Sequence, residues 1–109
     1  MTPGDVAIVD FQGAMGIKRR PAVVVSTTLY HSTRPDVIFG IITTQIAKAT
    51  APTDYVLRDW HAAGLRGPSA FRAYLATYSA AKVHAVIGQL SSHDWNEVQE
   101  RLRMALAVR

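Results

Sequence analysis

The sequence predicts an α+β chain that is mainly β: a small, strongly bent antiparallel sheet or partly open barrel with a C-terminal α-helix. Three observations carry this prediction. Short runs rich in β-branched and aromatic residues recur at Val6–Phe11, Ala22–Ser26 and Val37–Thr43, each bounded by glycine, proline or polar residues. Long polar connections separate the later runs. Only the stretch from Ser91 onward holds a sustained helical period. With 109 residues there is room for one domain and one real core, and for little more.

In chain order, Val6–Phe11 follows the turn residues Gly4-Asp5 and reads as a strand. Gln12–Lys18 reads as a loop, because Gly13 and Gly16 admit unusual backbone angles. Ala22–Ser26 is apolar almost throughout, which fits a central strand covered on both faces. Thr27–Thr33 is a turn or a short helix, broken by Arg34-Pro35-Asp36 before the strand Val37–Thr43. Thr44–Thr53 is small and polar and ends in Ala51-Pro52-Thr53, a mobile loop. Tyr55-Val56-Leu57 is a short strand. Asp59 caps a helical turn through Trp60–Ala63, which Gly64 terminates. Ser69–Tyr78 has two β-rich halves with a mixed pattern, and Lys82–Ile87 fits either a strand or a turn of helix. At the end, Ser91 and Ser92 are candidate N-caps with Asp94 and Glu97 in the first turn. Trp95, Val98, Leu102, Ala105 and Leu106 then form an apolar stripe, and Arg101, Arg103 and Arg109 fall toward the negative end of the dipole.

Composition narrows the function. The chain is 49% hydrophobic and 18% charged, a globular balance, and no apolar run approaches the ~20 residues of a membrane span. Met1-Thr2-Pro3-Gly4-Asp5 lacks the basic start and apolar stretch of a signal peptide. No cysteine is present, which excludes disulfides and thiolate metal sites and makes the cytoplasm the expected location. A formal charge of +4 points to an anionic partner, nucleic acid or acidic protein.

The cations cluster only at Lys18-Arg19-Arg20, at the mouth of the glycine-containing loop. Pro21 fixes φ, lacks an N–H and biases Arg20 toward extended geometry, so Arg20 is the cation whose position rigid structure sets. A preorganised guanidinium suits phosphate, which it grips with two parallel charge-assisted hydrogen bonds. Three neighbouring cations are more often a solvated basic loop, and a threonine closing a strand is ordinarily there for its β-propensity. The second stretch, Ile41-Ile42-Thr43-Thr44-Gln45, gives the cluster its significance through a resemblance.

Gly4-Asp5-Val6, Val9-Asp10-Phe11, Lys18-Arg19-Arg20-Pro21-Ala22-Val23-Val24-Val25-Ser26 and Ile42-Thr43-Thr44-Gln45 resemble the MazF/PemK toxins of type II toxin–antitoxin systems. The likeness continues through Pro52-Thr53-Asp54-Tyr55, Asp59-Trp60, Ala63-Gly64-Leu65, Pro68-Ser69, Arg72 and Ile87-Gly88-Gln89-Leu90-Ser91. No single piece is diagnostic; their order and spacing together are. The resemblance implies an SH3-like small barrel, a homodimer, metal-independent and sequence-selective cleavage of single-stranded RNA, and a cognate acidic antitoxin covering the RNA groove. It places the catalytic arginine on Arg20 and the catalytic threonine on Thr43, with Lys18, Arg19, Gln45 and Arg72 as RNA-binding residues and no cofactor or metal. Many members carry an acidic residue followed by glutamine after the Ser69–Arg72 segment. This chain reads Leu75-Ala76-Thr77-Tyr78 there, leaving the role of the Ala76-Thr77 segment open. Its Gln12–Lys18 loop is also shorter than in many members, which bears on substrate preference.

These residues suit RNA cleavage. The 2′-OH is a built-in nucleophile, so an enzyme need only align it, assist proton movement and stabilise charge on the phosphoryl oxygens. Arg20 fits charge stabilisation and proton donation to the leaving 5′-oxygen, but not the base, since guanidinium stays protonated. Thr43 offers a hydroxyl to a phosphoryl oxygen or the 2′-OH, and the products would be 2′,3′-cyclic phosphate and 5′-hydroxyl ends. Strand alternation allows only one of Thr43 and Thr44 to face Arg20. His31, His61, His84 and His93 share no motif and read as surface residues, not an acid/base pair. Trp60, Trp95, Tyr55 and Tyr74 are candidate base-stacking residues, although Trp95 begins the apolar stripe. The alternative function is a non-catalytic module on the same barrel that inhibits a protein target or binds nucleic acid. Apolar surface left over at strand 22–25 would favour a two-fold dimer.

Overall fold

The computed structural model describes residues 1–108; Arg109 lies outside the described residues. Six strands form one antiparallel sheet, in the order β4-β5-β3-β2-β1-β6. They are β1 (Asp5–Gly13), β2 (Gly16–Val24), β3 (Asp36–Thr43), β4 (Tyr55–Val56), β5 (Ala70–Ser79) and β6 (Val83–Gln89). Helices α1 (Thr28–Thr33) and α2 (Ser92–Ala105) complete the chain. The sheet is bent but not closed, with β4 and β6 as its edges. Its curl is visible in one connection. β5 and β6 are separated by three strands, yet only the 3-10 turn Ala80–Lys82 joins them. So short a link reaches only if the sheet curls until the end of β5 meets the start of β6.

The curl gives the sheet apolar clusters on both faces. One face packs Val6, Val23, Ile42, Phe71 and Leu57 against Val98 of α2, with Trp95, Trp60 and Leu102 around them. The other gathers Ala7, Val9, Phe11, Ala22, Val24, Val37 and Phe39, with Ala76, Tyr78 and Val83 alongside. Alternation along β2 explains the split: Val23 serves the first cluster, Ala22 and Val24 the second. The central-strand expectation is met, since Ala22, Val23 and Val24 are fully buried. For the same reason the dimer argument from leftover surface at 22–25 fails; that strand is covered inside the protomer.

Several boundaries differ from the sequence reading. Gln12–Lys18 is not a loop. β1 and β2 pair up to Gly13 and Gly16 around the two-residue turn Ala14-Met15, and Gly16 takes the positive φ of 109° that the turn needs. Lys82–Ile87 resolves as strand β6. The mixed pattern of Ser69–Tyr78 has a geometric cause. Gly40 pairs with Leu75 and Ile42 with Phe71, so Arg72-Ala73-Tyr74 bulge opposite Ile41 alone. Ala73 is left-handed there, at φ 53°. Residues 44–53 are not featureless, since Ile46–Lys48 forms a 3-10 turn.

Helix α2 begins as predicted, with the Ser91 hydroxyl accepting from the Asp94 N–H at 3.1 Å. Glu97 lies beyond the first turn and pairs with Arg101. Asp94 does more than cap. It is fully buried, and its carboxylate accepts from the Tyr55 hydroxyl (2.6 Å), the Arg58 N–H (3.1 Å) and the Asp59 N–H (2.7 Å). Burial and the Asp94 carboxylate push the Tyr55 phenol pKa well up, keeping it the donor. Gly64 ends the turn after Trp60 with φ 83°, as expected. The Asp59 carboxylate, however, does not cap that turn; it binds Arg58 and accepts from the Ser91 hydroxyl, and both bonds lower its pKa. No helix among the described residues is long and apolar enough to cross a membrane.

Candidate active site

Arg20 lies inside β2, opposite Val9 of β1, and not at the mouth of a loop. Pairing to β1 runs the whole length of β2, with Pro21 opposite Ile8. Pairing to β3 stops at Ala22–Ile41, the pair next to Pro21. Extending that register would set Pro21 against Ile42 and Arg20 against Thr43. Proline has no N–H to continue a ladder, and the two strands part at this point.

Where they part lies a cavity of about 410 Å³, lined by Lys18, Arg19, Arg20 and Pro21 on one side and Ile42, Thr43, Thr44 and Gln45 on the other. The two stretches that stood apart in sequence therefore form its two walls. Three cations and no carboxylate line it, which makes it an anion site in electrostatic terms. Arg19 is engaged by its cross-strand partner Asp10, Nε to Oδ1 at 3.0 Å. Among the described residues, no carboxylate forms an ion pair with Lys18 or Arg20.

Thr43 is the last residue of β3 and is half-buried. Its Oγ1 accepts from the Gln45 N–H at 3.1 Å, which fixes the oxygen and leaves its own hydrogen free to donate. Thr44 also lines the cavity. Strict alternation does not decide between the threonines, because the strand ends at Thr43 and the chain turns.

Arg72 is not gathered with the other five residues. The bulge in β5 turns it toward the buried Asp54, Nε to Oδ1 at 3.5 Å. The same bulge leaves Tyr74 exposed in a second cavity of about 490 Å³ that shares Lys18 and Arg20 with the first. Phe11, Gln12, Met15, Ala76 and Tyr78 are among its other walls. Of the aromatic residues considered for stacking, Trp60, Trp95 and Tyr55 pack against the core, and Tyr74 alone lines this cavity.

The histidines are distributed without a pair. His61, His84 and His93 are exposed. His31 is not simply a surface residue. Its Nε2 lies 2.6 Å from the buried Ser26 hydroxyl and its Nδ1 3.1 Å from the Met1 carbonyl. A carbonyl opposite Nδ1 requires a proton there, and in that neutral tautomer the Ser26 hydroxyl donates to Nε2. Because the hydroxyl also accepts from the Ile38 N–H at 3.0 Å, the group ties α1 to β3.

Comparison with known proteins agrees with this architecture. The family profile of PemK-like, MazF-like toxins of type II toxin–antitoxin systems matches residues 2–106. No match is found among curated proteins. Among solved structures, a mycobacterial endoribonuclease in complex with its cognate antitoxin superposes with a TM-score of 0.80 at 21% identity, covering 100% of this chain and 97% of that one. A MazE–MazF complex from Deinococcus radiodurans gives 0.79 at 21%, with 100% and 98% covered. The Mycobacterium tuberculosis toxin MazF-mt6 gives 0.78 at 18%, with 96% and 98% covered.

Proposed function

The chain belongs to the PemK-like, MazF-like toxins of type II toxin–antitoxin systems, and from that premise we propose that it is a metal-independent endoribonuclease cutting single-stranded RNA in the cytoplasm. The observation that carries the proposal is the cleft where β2 and β3 part, with cations on one wall and the Thr43 hydroxyl on the other. In this reading a backbone phosphate sits between Arg20 and Thr43. The 2′-oxygen bonds to phosphorus as the bond to the 5′-oxygen breaks, giving a 2′,3′-cyclic phosphate and a 5′-hydroxyl. The 2′-hydroxyl proton passes to solvent, and the leaving 5′-oxygen takes a proton from the Arg20 guanidinium, which regains one from solvent. Arg20 neutralises charge on the phosphoryl oxygens, and the Thr43 hydroxyl donates to one of them. Lys18, Arg19 and Gln45 hold the flanking backbone.

Incubating the purified protein with a long unstructured RNA in excess EDTA tests this. Discrete fragments with 5′-hydroxyl ends are expected. Intact RNA from a protein shown to be folded would return the chain to the alternative of a non-catalytic binding module.

We further propose a homodimer and an acidic antitoxin segment that competes with RNA for the cations at Lys18, Arg19 and Arg20. Support comes from family membership and from the charge of this cleft. Light scattering at micromolar concentration should give twice the monomer mass, and a monomer that cleaves RNA would refute the dimer. Co-expression of a small acidic protein encoded beside this chain should suppress its toxicity.

A further inference from the structure

The cavity beside the cleft has a separate role. We propose that it is a nucleobase subsite in which Tyr74 is the stacking surface, and that it prefers a keto base, guanine or uracil, over adenine or cytosine. This inference rests on the nuclease reading, because it seats a base of the same RNA strand whose phosphate lies at Arg20.

Continuity is the first ground. Lys18 and Arg20 line both cavities, so a phosphate seated at Arg20 in the first leaves the attached nucleoside at the mouth of the second. At about 490 Å³ that cavity is roomy enough for a base together with its sugar.

Backbone geometry is the second. Three residues of β5 oppose a single residue of β3, and Ala73 holds a left-handed conformation that a non-glycine residue adopts at a cost. Bulges of this kind re-aim side chains beside active sites. Here one bulge sends Arg72 to Asp54 and leaves Tyr74 68% exposed against the cavity. Met15, 91% exposed at the hairpin tip, supplies a second apolar contact. A large ring that is neither packed in the core nor hidden, next to cations with no ion-pair partner among the described residues, is a stacking platform for single-stranded nucleic acid.

The hydrogen-bonding inventory supplies the preference. Lys18 and Arg20 only donate. The Tyr78 hydroxyl accepts from the Gln12 N–H at 3.4 Å, leaving its hydrogen to donate. No aspartate or glutamate lines the cavity. The pairs differ at one position, where guanine O6 and uracil O4 accept and adenine N6 and cytosine N4 donate. Lys18, Arg20 and the Tyr78 hydroxyl all offer hydrogens to the keto oxygen, and among the lining side chains the Gln12 amide oxygen is the acceptor left for an amino group.

Fluorescence anisotropy with short 2′-deoxy oligonucleotides, which lack the nucleophile and cannot be cut, tests the subsite without requiring catalysis. Deoxyuridine and deoxyinosine pentamers should bind several-fold tighter than their amino counterparts, deoxycytidine and deoxyadenosine pentamers. Tyr74→Ala should weaken binding of the keto pentamers on the order of tenfold, while Tyr74→Phe keeps it. Equal affinity across each keto/amino pair, or an unchanged Tyr74→Ala, would overturn the proposal. Cleavage of long RNA is scored separately. Cleavage with no Tyr74 effect on binding removes the subsite and leaves the nuclease standing; the binding pattern without cleavage does the reverse.

Discussion

Asp94 offers the sharpest test of how the frame behind the site is held. Its carboxylate is the common acceptor for the Tyr55 hydroxyl and the N–H groups of Arg58 and Asp59. Truncation in Asp94→Ala leaves those three donors without a partner at a fully buried position. An orphaned buried donor costs roughly 1–3 kcal/mol. Tyr55 and Arg58 lie partly or fully at the surface, so water recovers some of this, and a total of about 3–5 kcal/mol is expected. That is a large share of a domain stability of about 5–15 kcal/mol. Asp94→Asn keeps the volume and one oxygen but turns an amide N–H₂ toward a donor, at a cost of about 1–3 kcal/mol. Urea unfolding measures both. With a slope of about 1–3 kcal/mol/M, the alanine variant should lose on the order of 2 M in midpoint. Adding Tyr55→Phe to Asp94→Ala should cost little more, because the acceptor is already gone. An alanine variant within ~1 kcal/mol of the parent would refute the view that Asp94 joins α2 to the segment after β4.

Arg20→Ala should reduce RNA cleavage by about 1000-fold with an unchanged urea midpoint, since the side chain is exposed; loss of folding instead would show a structural role. Thr43→Val should lower cleavage on the order of 100-fold at near-constant volume, and full activity in that variant would move the hydroxyl's role to Thr44. Gly40→Ala would bring its Cβ within 2.3 Å of Cε1 of the buried Phe71, so a loss of about 1–3 kcal/mol in urea unfolding is expected, relieved in part by Phe71→Leu. The Tyr55 phenol pKa is raised by folding, so its contribution is present below the ordinary tyrosine value near pH 10 and is lost as pH rises beyond it. Tyr55→Phe should therefore flatten the alkaline end of a stability–pH curve, and an unchanged slope above pH 10 would contradict this.

Of the candidate site, the two stretches that form the walls of the cleft were legible in the sequence. Three adjacent cations ending at a proline and a threonine pair closing a strand have ordinary explanations when taken alone, and it was their order and spacing with the rest of the chain that singled them out. What sequence could not supply was the reason they meet. The hairpin at Ala14-Met15 has no Asn-Gly or Asp-Gly signal, so the glycines flanking the turn suggested a loop and Arg20 was placed at its end. Ser69–Tyr78 lost its alternation to a bulge whose left-handed residue is an alanine, for which no propensity gives warning. Asp94 looked like an ordinary first-turn acid, since burial depends on Tyr55 and the Arg58–Asp59 backbone arriving from far along the chain. The apolar run 22–25 revealed burial, but not that the cover comes from the same chain folded over itself.

Pro21 has a consequence for how the cleft works in time. A groove covered by a flexible segment is competent only part of the time, and its affinity falls by that fraction. Here the opening results from a covalent fact, a nitrogen without hydrogen, in a strand stitched to β1 along its other side. The free protein already holds the gap apart, so in the proposed reading a polyanion would meet a receptor that has no opening step to wait for. Its arrival rate would then be set by diffusion and charge, with salt concentration as the natural control over how quickly the cleft fills.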